Sequence, residues 1–178
     1  MFRRKFLFTL SSAIGLLATR SFADDTSEGN KVNIMRFSDE GKPLGRVALA
    51  KVNKGEEWRK VLSPLAYQVT REQGTELAFS QAGYSSHDQG LYRCICCDNA
   101  LFDSNSKFDS HTGWPSFWEP IATENVHEIG DHKFGIPRTE IQCSLCDAHL
   151  GHVFNDGPEP TGLRYCMNTV AMRFVAHS

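Results

Sequence analysis

The sequence predicts a mainly β domain with a staple built from cysteines, and three observations support it. Two Cys-x-x-Cys pairs, Cys94/Cys97 and Cys143/Cys146, stand 45 residues apart, and four thiolates in two short bites suit a tetrahedral zinc ion. From Leu91 onward, Gly, Pro, Asn and Asp cut the chain into short aromatic runs, as between strands. No alternation of strand and helix patterns is present, which argues against a doubly wound parallel sheet.

The elements follow in chain order. Arg3, Arg4 and Lys5 head an uncharged, mostly apolar run from Phe6 to Thr19, and Ser21-Phe22-Ala23 offers a small-x-small cleavage site before Asp24. The run is shorter than the roughly 20 residues a spanning helix needs, so residues 1–23 read as an export signal peptide. Arg3-Arg4-Lys5-Phe6-Leu7 resembles a twin-arginine signal, although a plain secretory signal also begins with basic residues. The expected location is the periplasm; an uncleaved signal would instead anchor the protein in the inner membrane. Asp24 to Lys42 is polar and without a steady period, and residues 24–50 are expected to form a flexible mature N-terminus. A single domain is expected over residues 51–178. Glu56 to Leu62 suggests a helical turn. Ser63 then caps a short helix, with Pro64 in its first turn, Leu65 to Gln73 as its body and Gly74 closing it. Strand candidates are Leu91–Cys94, Lys133–Ile136, Thr139–Gln142, His152–Phe154, Gly162–Cys166 and Thr169–Val175.

Charge narrows the function. Removing residues 1–23, with four basic residues and no acid, takes the formal charge from −2 to −6. So acidic a chain is a poor match for phosphate backbones, and no nucleic-acid partner is expected. No later segment is long and apolar enough to span a membrane, so no stable membrane insertion is expected once the signal is cleaved.

The cysteines carry the chemistry. A closed shell of Cys94, Cys97, Cys143 and Cys146 leaves no open position for substrate, so the expected zinc, one per chain, is structural. In an oxidising compartment, disulfides among the six cysteines are the alternative. Cys166 has no partner at Cys-x-x-Cys spacing and is either an inert buried thiol or a nucleophile. Asn168 stands two residues on, sharing a face with Cys166 if the segment is a strand. His149 and His152 lie in Asp147-Ala148-His149-Leu150-Gly151-His152, and a histidine beside a cysteine would favour the reactive thiolate. Gly113-Trp114-Pro115-Ser116-Phe117-Trp118 is either core or the wall of an apolar pocket.

Four runs together are highly specific: Lys107-Phe108-Asp109-Ser110-His111-Thr112-Gly113-Trp114-Pro115-Ser116-Phe117, Arg138-Thr139-Glu140-Ile141-Gln142-Cys143, Ala148-His149-Leu150-Gly151-His152-Val153-Phe154-Asn155-Asp156-Gly157-Pro158 and Gly162-Leu163-Arg164-Tyr165-Cys166-Met167-Asn168. From about Leu62 to Val175 the chain resembles the B-type methionine sulfoxide reductases, which act on the R epimer. The resemblance implies two antiparallel sheets, with zinc at a distance from the active cysteine. It implies that Cys166 is the nucleophile, that Trp114 shapes the pocket for the substrate methyl, and that His149, His152, Asp156 and Asn168 surround the sulfoxide and water. The implied partners are oxidised proteins or peptides containing methionine R-sulfoxide, and a thioredoxin-like thiol reductant. Some relatives have lost the four zinc cysteines; this chain keeps them. Many relatives carry a resolving cysteine where this chain has Thr112. The spare thiol here is Cys96, which either takes that resolving role or is a bystander.

Overall fold

The computed structural model describes residues 30–132 and 137–177. The fold is mainly β, with three antiparallel sheets and two short helices. A hairpin of β1 (Lys31–Phe37) and β2 (Pro43–Ala50) leads into α1 (Trp58–Val61) and α2 (Pro64–Glu72). Eight more strands follow in order: β3 (Gly90–Cys94), β4 (Ala100–Asp103), β5 (Lys107–Phe108), β6 (Ser116–Phe117), β7 (Val126–Asp131), β8 (Arg138–Cys143), β9 (His149–Phe154) and β10 (Arg164–Met167). The last strand is β11 (Met172–Ala176). The large sheet runs β5-β6-β10-β9-β8-β7 and the small one β11-β3-β4. The strand candidate Lys133–Ile136 and the signal segment 1–23 lie outside the described residues.

Local chemistry explains the helices. Ser63 Oγ accepts from Ala66 N at 3.1 Å, and Pro64 occupies the first helical position. The end differs from expectation. Gln73, at φ 54, takes the left-handed closing position, one residue before Gly74. Ala66, Val69 and Thr70 form the buried face of α2. Trp58 on α1 is also buried, under the cations of Lys54 and Arg71.

The expected flexible segment is corrected from Lys31 onward. Residues 31–50 form the β1–β2 hairpin, joined through long-range bonds rather than a clear apolar stripe. Of this hairpin, Ile34 alone belongs to the buried core. Asn125, fully buried, accepts from Met35 N at 2.8 Å and donates to Met35 O and Ala100 O, each at 2.8 Å. Arg93 donates to Phe37 O at 3.0 Å and pairs with Asp39 at 2.8 Å. Polar anchors of this kind leave no periodic mark in the strand they hold. The expected strand Thr169–Val175 is also divided. Thr169–Ala171 is a 3-10 turn, and the strand begins at Met172.

The core lies where the two larger sheets face each other. Phe102 and Phe117 stack at 4.4 Å, and Tyr92 meets Phe117 edge-on at 4.9 Å. Leu101, Ile141, Leu150 and Met167 complete it without solvent exposure. Among the described residues, no helix is long and apolar enough to cross a membrane.

Candidate active site and metal centre

Each Cys-x-x-Cys pair is the turn of a hairpin. The first joins β3 to β4 and the second joins β8 to β9. Their backbones repeat. Cys94 N donates to Asn99 O at 2.8 Å and Cys143 N to Ala148 O at 3.0 Å. Asp98 N returns to Cys94 O and Asp147 N to Cys143 O, both at 2.9 Å. Asp98 (φ 66) and Asp147 (φ 54) turn the chain left-handed, a conformation that aspartate tolerates better than most residues.

The two turns bring their four sulfurs within 4.8 Å of one another. The Cys94–Cys146 and Cys97–Cys143 pairs each stand 3.6 Å apart. All six cysteines are free, and 3.6 Å is far beyond a disulfide bond of about 2.05 Å. A tetrahedron with metal–sulfur bonds of about 2.3 Å has edges of about 3.8 Å, close to these separations. The four cysteines are therefore arranged to hold a metal ion. They fill all four corners, and they tie the small sheet to the large one. Asn99 Nδ2 lies 3.6 Å from Cys143 Sγ, and Arg71 on α2 donates to Cys146 O at 2.9 Å.

Cys166 stands apart, on β10 in the large sheet. Its register partners are Ser116 on β6 and His152 on β9; Glu140 on β8 is in turn the partner of His152. Directly opposed residues of antiparallel strands share a face, so Ser116, Cys166, His152 and Glu140 form one row. Gly151 permits the close approach of β9 and β10. A Cβ there would lie 2.1 Å from Cys166 O and 2.9 Å from Met167 Cα.

Arg164 supplies a cation beside the thiol. Burial pushes the Cys166 thiol up from its ordinary value, opposed by the Arg164 charge and by hydrogen bonding from Thr112, Ser116 and Arg164. Thr112 Oγ1 is 3.9 Å from Cys166 Sγ. Ser110 Oγ links Thr112 Oγ1 at 2.8 Å to Ser116 Oγ at 2.7 Å, making a chain of hydroxyls beside the sulfur. Asp156 grips Arg164 with two bonds of 2.8 Å, and the guanidinium lies 4.5 Å over the Phe154 ring. The pairing holds the Asp156 carboxyl below its usual range and raises Arg164. Arg164 was missed in the sequence, although two-residue spacing from Cys166 on a strand was a usable signal.

The other expected site residues have distinct settings. His149 is buried, and its Nδ1 lies 2.7 Å from Glu140 Oε1. His152 Nε2 lies 2.9 Å from Asp131 Oδ2, the oxygen to which Arg138 also donates at 2.6 Å. The two imidazoles are 5.5 Å apart. Asn168 is buried with both ends of its amide engaged. Oδ1 accepts from Glu76 N, and Nδ2 donates to Leu150 O, both at 3.0 Å. It therefore fixes backbone rather than sharing an open face with Cys166. Trp114 Nε1 donates to Glu76 O at 3.2 Å. Glu76, also missed, is a buried carboxylate that accepts from Thr169 N at 2.7 Å and Val170 N at 3.0 Å. Cys96 lies in the first cysteine turn, 3.5 Å from Thr70 on α2, between two strands of the small sheet, whereas Cys166 is on the large one.

A thiol held apart from a closed four-cysteine cluster, with a cation to stabilise its ionised form, is arranged as the nucleophile of a cysteine-dependent enzyme. Residues 62–176 match the SelR domain. A peptide methionine sulfoxide reductase MsrB of Pseudomonas entomophila (strain L48) is 58% identical over 117 residues, covering 66% of this chain and 89% of the relative. Its namesake from Thioalkalivibrio sulfidiphilus (strain HL-EbGR7) is 53% identical over 121 residues, covering 68% and 88%. That from Synechococcus sp. (strain RCC307) is 53% identical over 118 residues, covering 66% and 87%. The chain belongs to this SelR-domain family of B-type methionine sulfoxide reductases.

Proposed function

We propose that this protein repairs oxidised polypeptides outside the cytoplasm by reducing methionine R-sulfoxide through Cys166. The observation that carries the reading is the placement of Cys166. It faces His152 across the sheet, has Arg164 beside it, and is not part of the four-cysteine cluster. The metal is zinc. Hard-to-oxidise zinc in a four-thiolate shell has no coordination site to offer substrate, so its part is to hold the sheets.

The thiolate of Cys166, stabilised by Arg164, attacks the sulfoxide sulfur. Protonation of the sulfoxide oxygen, with His152 as donor and Asp131 orienting its ring, lets the sulfur–oxygen bond break and the oxygen leave as water; water then adds to the Cys166 sulfur as the new sulfur–sulfur bond breaks, releasing methionine and a proton. Asp156 keeps Arg164 in place, while Glu140 and Asn168 hold His149 and the backbone around the site. The Trp114 wall receives the substrate methyl. Sulfoxide and thiol thus become methionine and a Cys166 sulfenic acid. Two equivalents of thiol then return the sulfenic acid to thiol, releasing water and a disulfide. A thioredoxin-like donor supplies them directly, because Thr112 lacks a thiol and Cys96 is pinned between two metal ligands. Residues 1–23 export the chain to the periplasm by the twin-arginine route, which would allow metal loading before translocation.

The test compares initial rates on separated R and S sulfoxides. Turnover of the R epimer alone, lost in Cys166→Ser while the metal is retained, is the expected result. Equal rates on both epimers, or full activity in the serine variant, would refute it. After one equivalent of sulfoxide without reductant, a dimedone-trappable sulfenic acid at Cys166 is expected, unchanged by Cys96→Ser. A linked Cys96–Cys166 peptide would instead make Cys96 the resolving residue.

A further inference from the structure

The loop after α2 carries two large apolar side chains that the fold leaves in water. Leu77 is 80% exposed and Phe79 is 59% exposed. The loop is nonetheless bonded to the reaction site along its length. Glu76 N donates to Asn168, Glu76 O accepts from Trp114 Nε1, and Phe79 N donates to Gly113 O at 2.9 Å. Phe79 sits at φ 63, where a bulky side chain is found only if its surroundings enforce it. That conformation lays its ring over Gly113. A Cβ on Gly113 would lie 2.7 Å from the Phe79 ring. Tyr84 meets the same ring edge-on at 5.4 Å. Gly113 in turn joins Thr112, the neighbour of Cys166 Sγ, to Trp114. Phe79 therefore packs on the segment that joins Thr112 to Trp114, and Leu77 stands two residues before it on the same loop. Other exposed apolar residues, such as Leu44, Val61 and Phe174, belong to other elements, and single exposed apolar side chains are normal.

We infer that Leu77 and Phe79 form a subsite for an apolar side chain adjacent to the oxidised methionine of the polypeptide under repair. The inference rests on the reaction assigned to Cys166. A methionine that reaches Cys166 from within a polypeptide carries its neighbours across the loop bonded to Gly113 and Trp114. The surface is continuous with the site, and its occupant is the substrate chain itself. An apolar neighbour laid on Leu77 and Phe79 removes apolar area of both partners from water. A charged or glycine neighbour does not.

The experiment measures kcat/KM with dithiothreitol as reductant on three R-sulfoxides. These are N-acetylmethionine sulfoxide, a blocked pentapeptide with leucine on both sides of the oxidised methionine, and the same peptide with glycine there. The native enzyme is expected to favour the leucine peptide by about tenfold, the scale of partial apolar burial. Leu77→Ser and Phe79→Gly should each erase most of that preference. Glycine adopts positive φ freely and Leu77 is exposed, so both variants should fold, which circular dichroism and metal content would verify. Equal kcat/KM on the two peptides in the native enzyme, or an undiminished preference in both variants, overturns the subsite. In a second series with a thioredoxin-type protein in place of dithiothreitol, a rise confined to the KM for that protein in both variants assigns the patch to the reductant and overturns the subsite too. No turnover of any of the three R-sulfoxides by the native enzyme would overturn the assigned reaction, and the subsite with it.

Discussion

Gly151→Ala separates the packing of the sheet from the chemistry of its thiol. The new methyl would stand 2.1 Å from Cys166 O and 2.9 Å from Met167 Cα. Both are backbone atoms, so no side chain can swing aside. Relief requires β9 and β10 to part by roughly 1 Å, on the scale of overpacking that costs about 1–3 kcal/mol. The same movement shifts Cys166 against His152, its register partner. Misplacement of a reacting group by about 1 Å costs roughly 10²-fold in rate. The expected result is a folded, metal-loaded protein, destabilised by about 2 kcal/mol and slowed about a hundredfold in kcat/KM for the R-sulfoxide. Urea unfolding gives the first quantity, and initial rates give the second. Gly130→Ala is the control in the same sheet. Its added Cβ would meet only His132 Nε2, at an ordinary 3.6 Å, and it should be near neutral. Native activity in Gly151→Ala, or equal losses in both variants, would refute the argument that strand spacing at this glycine sets the position of the thiol.

Three further outcomes are expected. Because burial raises the Cys166 thiol and Arg164 opposes that rise, Arg164→Met should move the ascending limb of the pH–rate profile, and of iodoacetamide alkylation, to higher pH. The unfolded chain releases this proton first, so the thiol's contribution is full below the ordinary thiol range and is lost as pH rises towards the folded value. Stripping the metal should abolish cooperative unfolding, since binding worth on the order of 10–16 kcal/mol rivals a domain stability of about 5–15 kcal/mol; near-ultraviolet circular dichroism before and after chelation measures it. Asn125→Ala removes the bonds to Met35 N, Met35 O and Ala100 O and should cost roughly 3 kcal/mol. Hydrogen exchange should show that loss first in residues 31–50.

The parts legible in the sequence were those encoded locally. A Cys-x-x-Cys turn needs only a few residues, and its geometry repeats at Cys94 and Cys143 because each is the tight end of a hairpin. The capped start of α2 was legible for the same reason, since Ser63 bonds three residues ahead. The β1–β2 hairpin was not. Its strands are mostly exposed, and it is held by Asn125 and Arg93 from distant positions.

By itself, the sequence determined which chemistries were available: four thiolates in two bites, one separate thiol, and histidines spaced three apart. Tertiary structure alone decided how those groups meet. Strand register set His152 and Ser116 across from Cys166, and it placed Glu140 beyond His152. Side-chain reach then gave His152 to Asp131 and His149 to Glu140, and it left Arg164 as the charge beside the sulfur. The physical reason is that spacing along a chain fixes which face a side chain takes within its own strand. Pairing between strands, set by the packing of whole sheets, fixes which residue it faces.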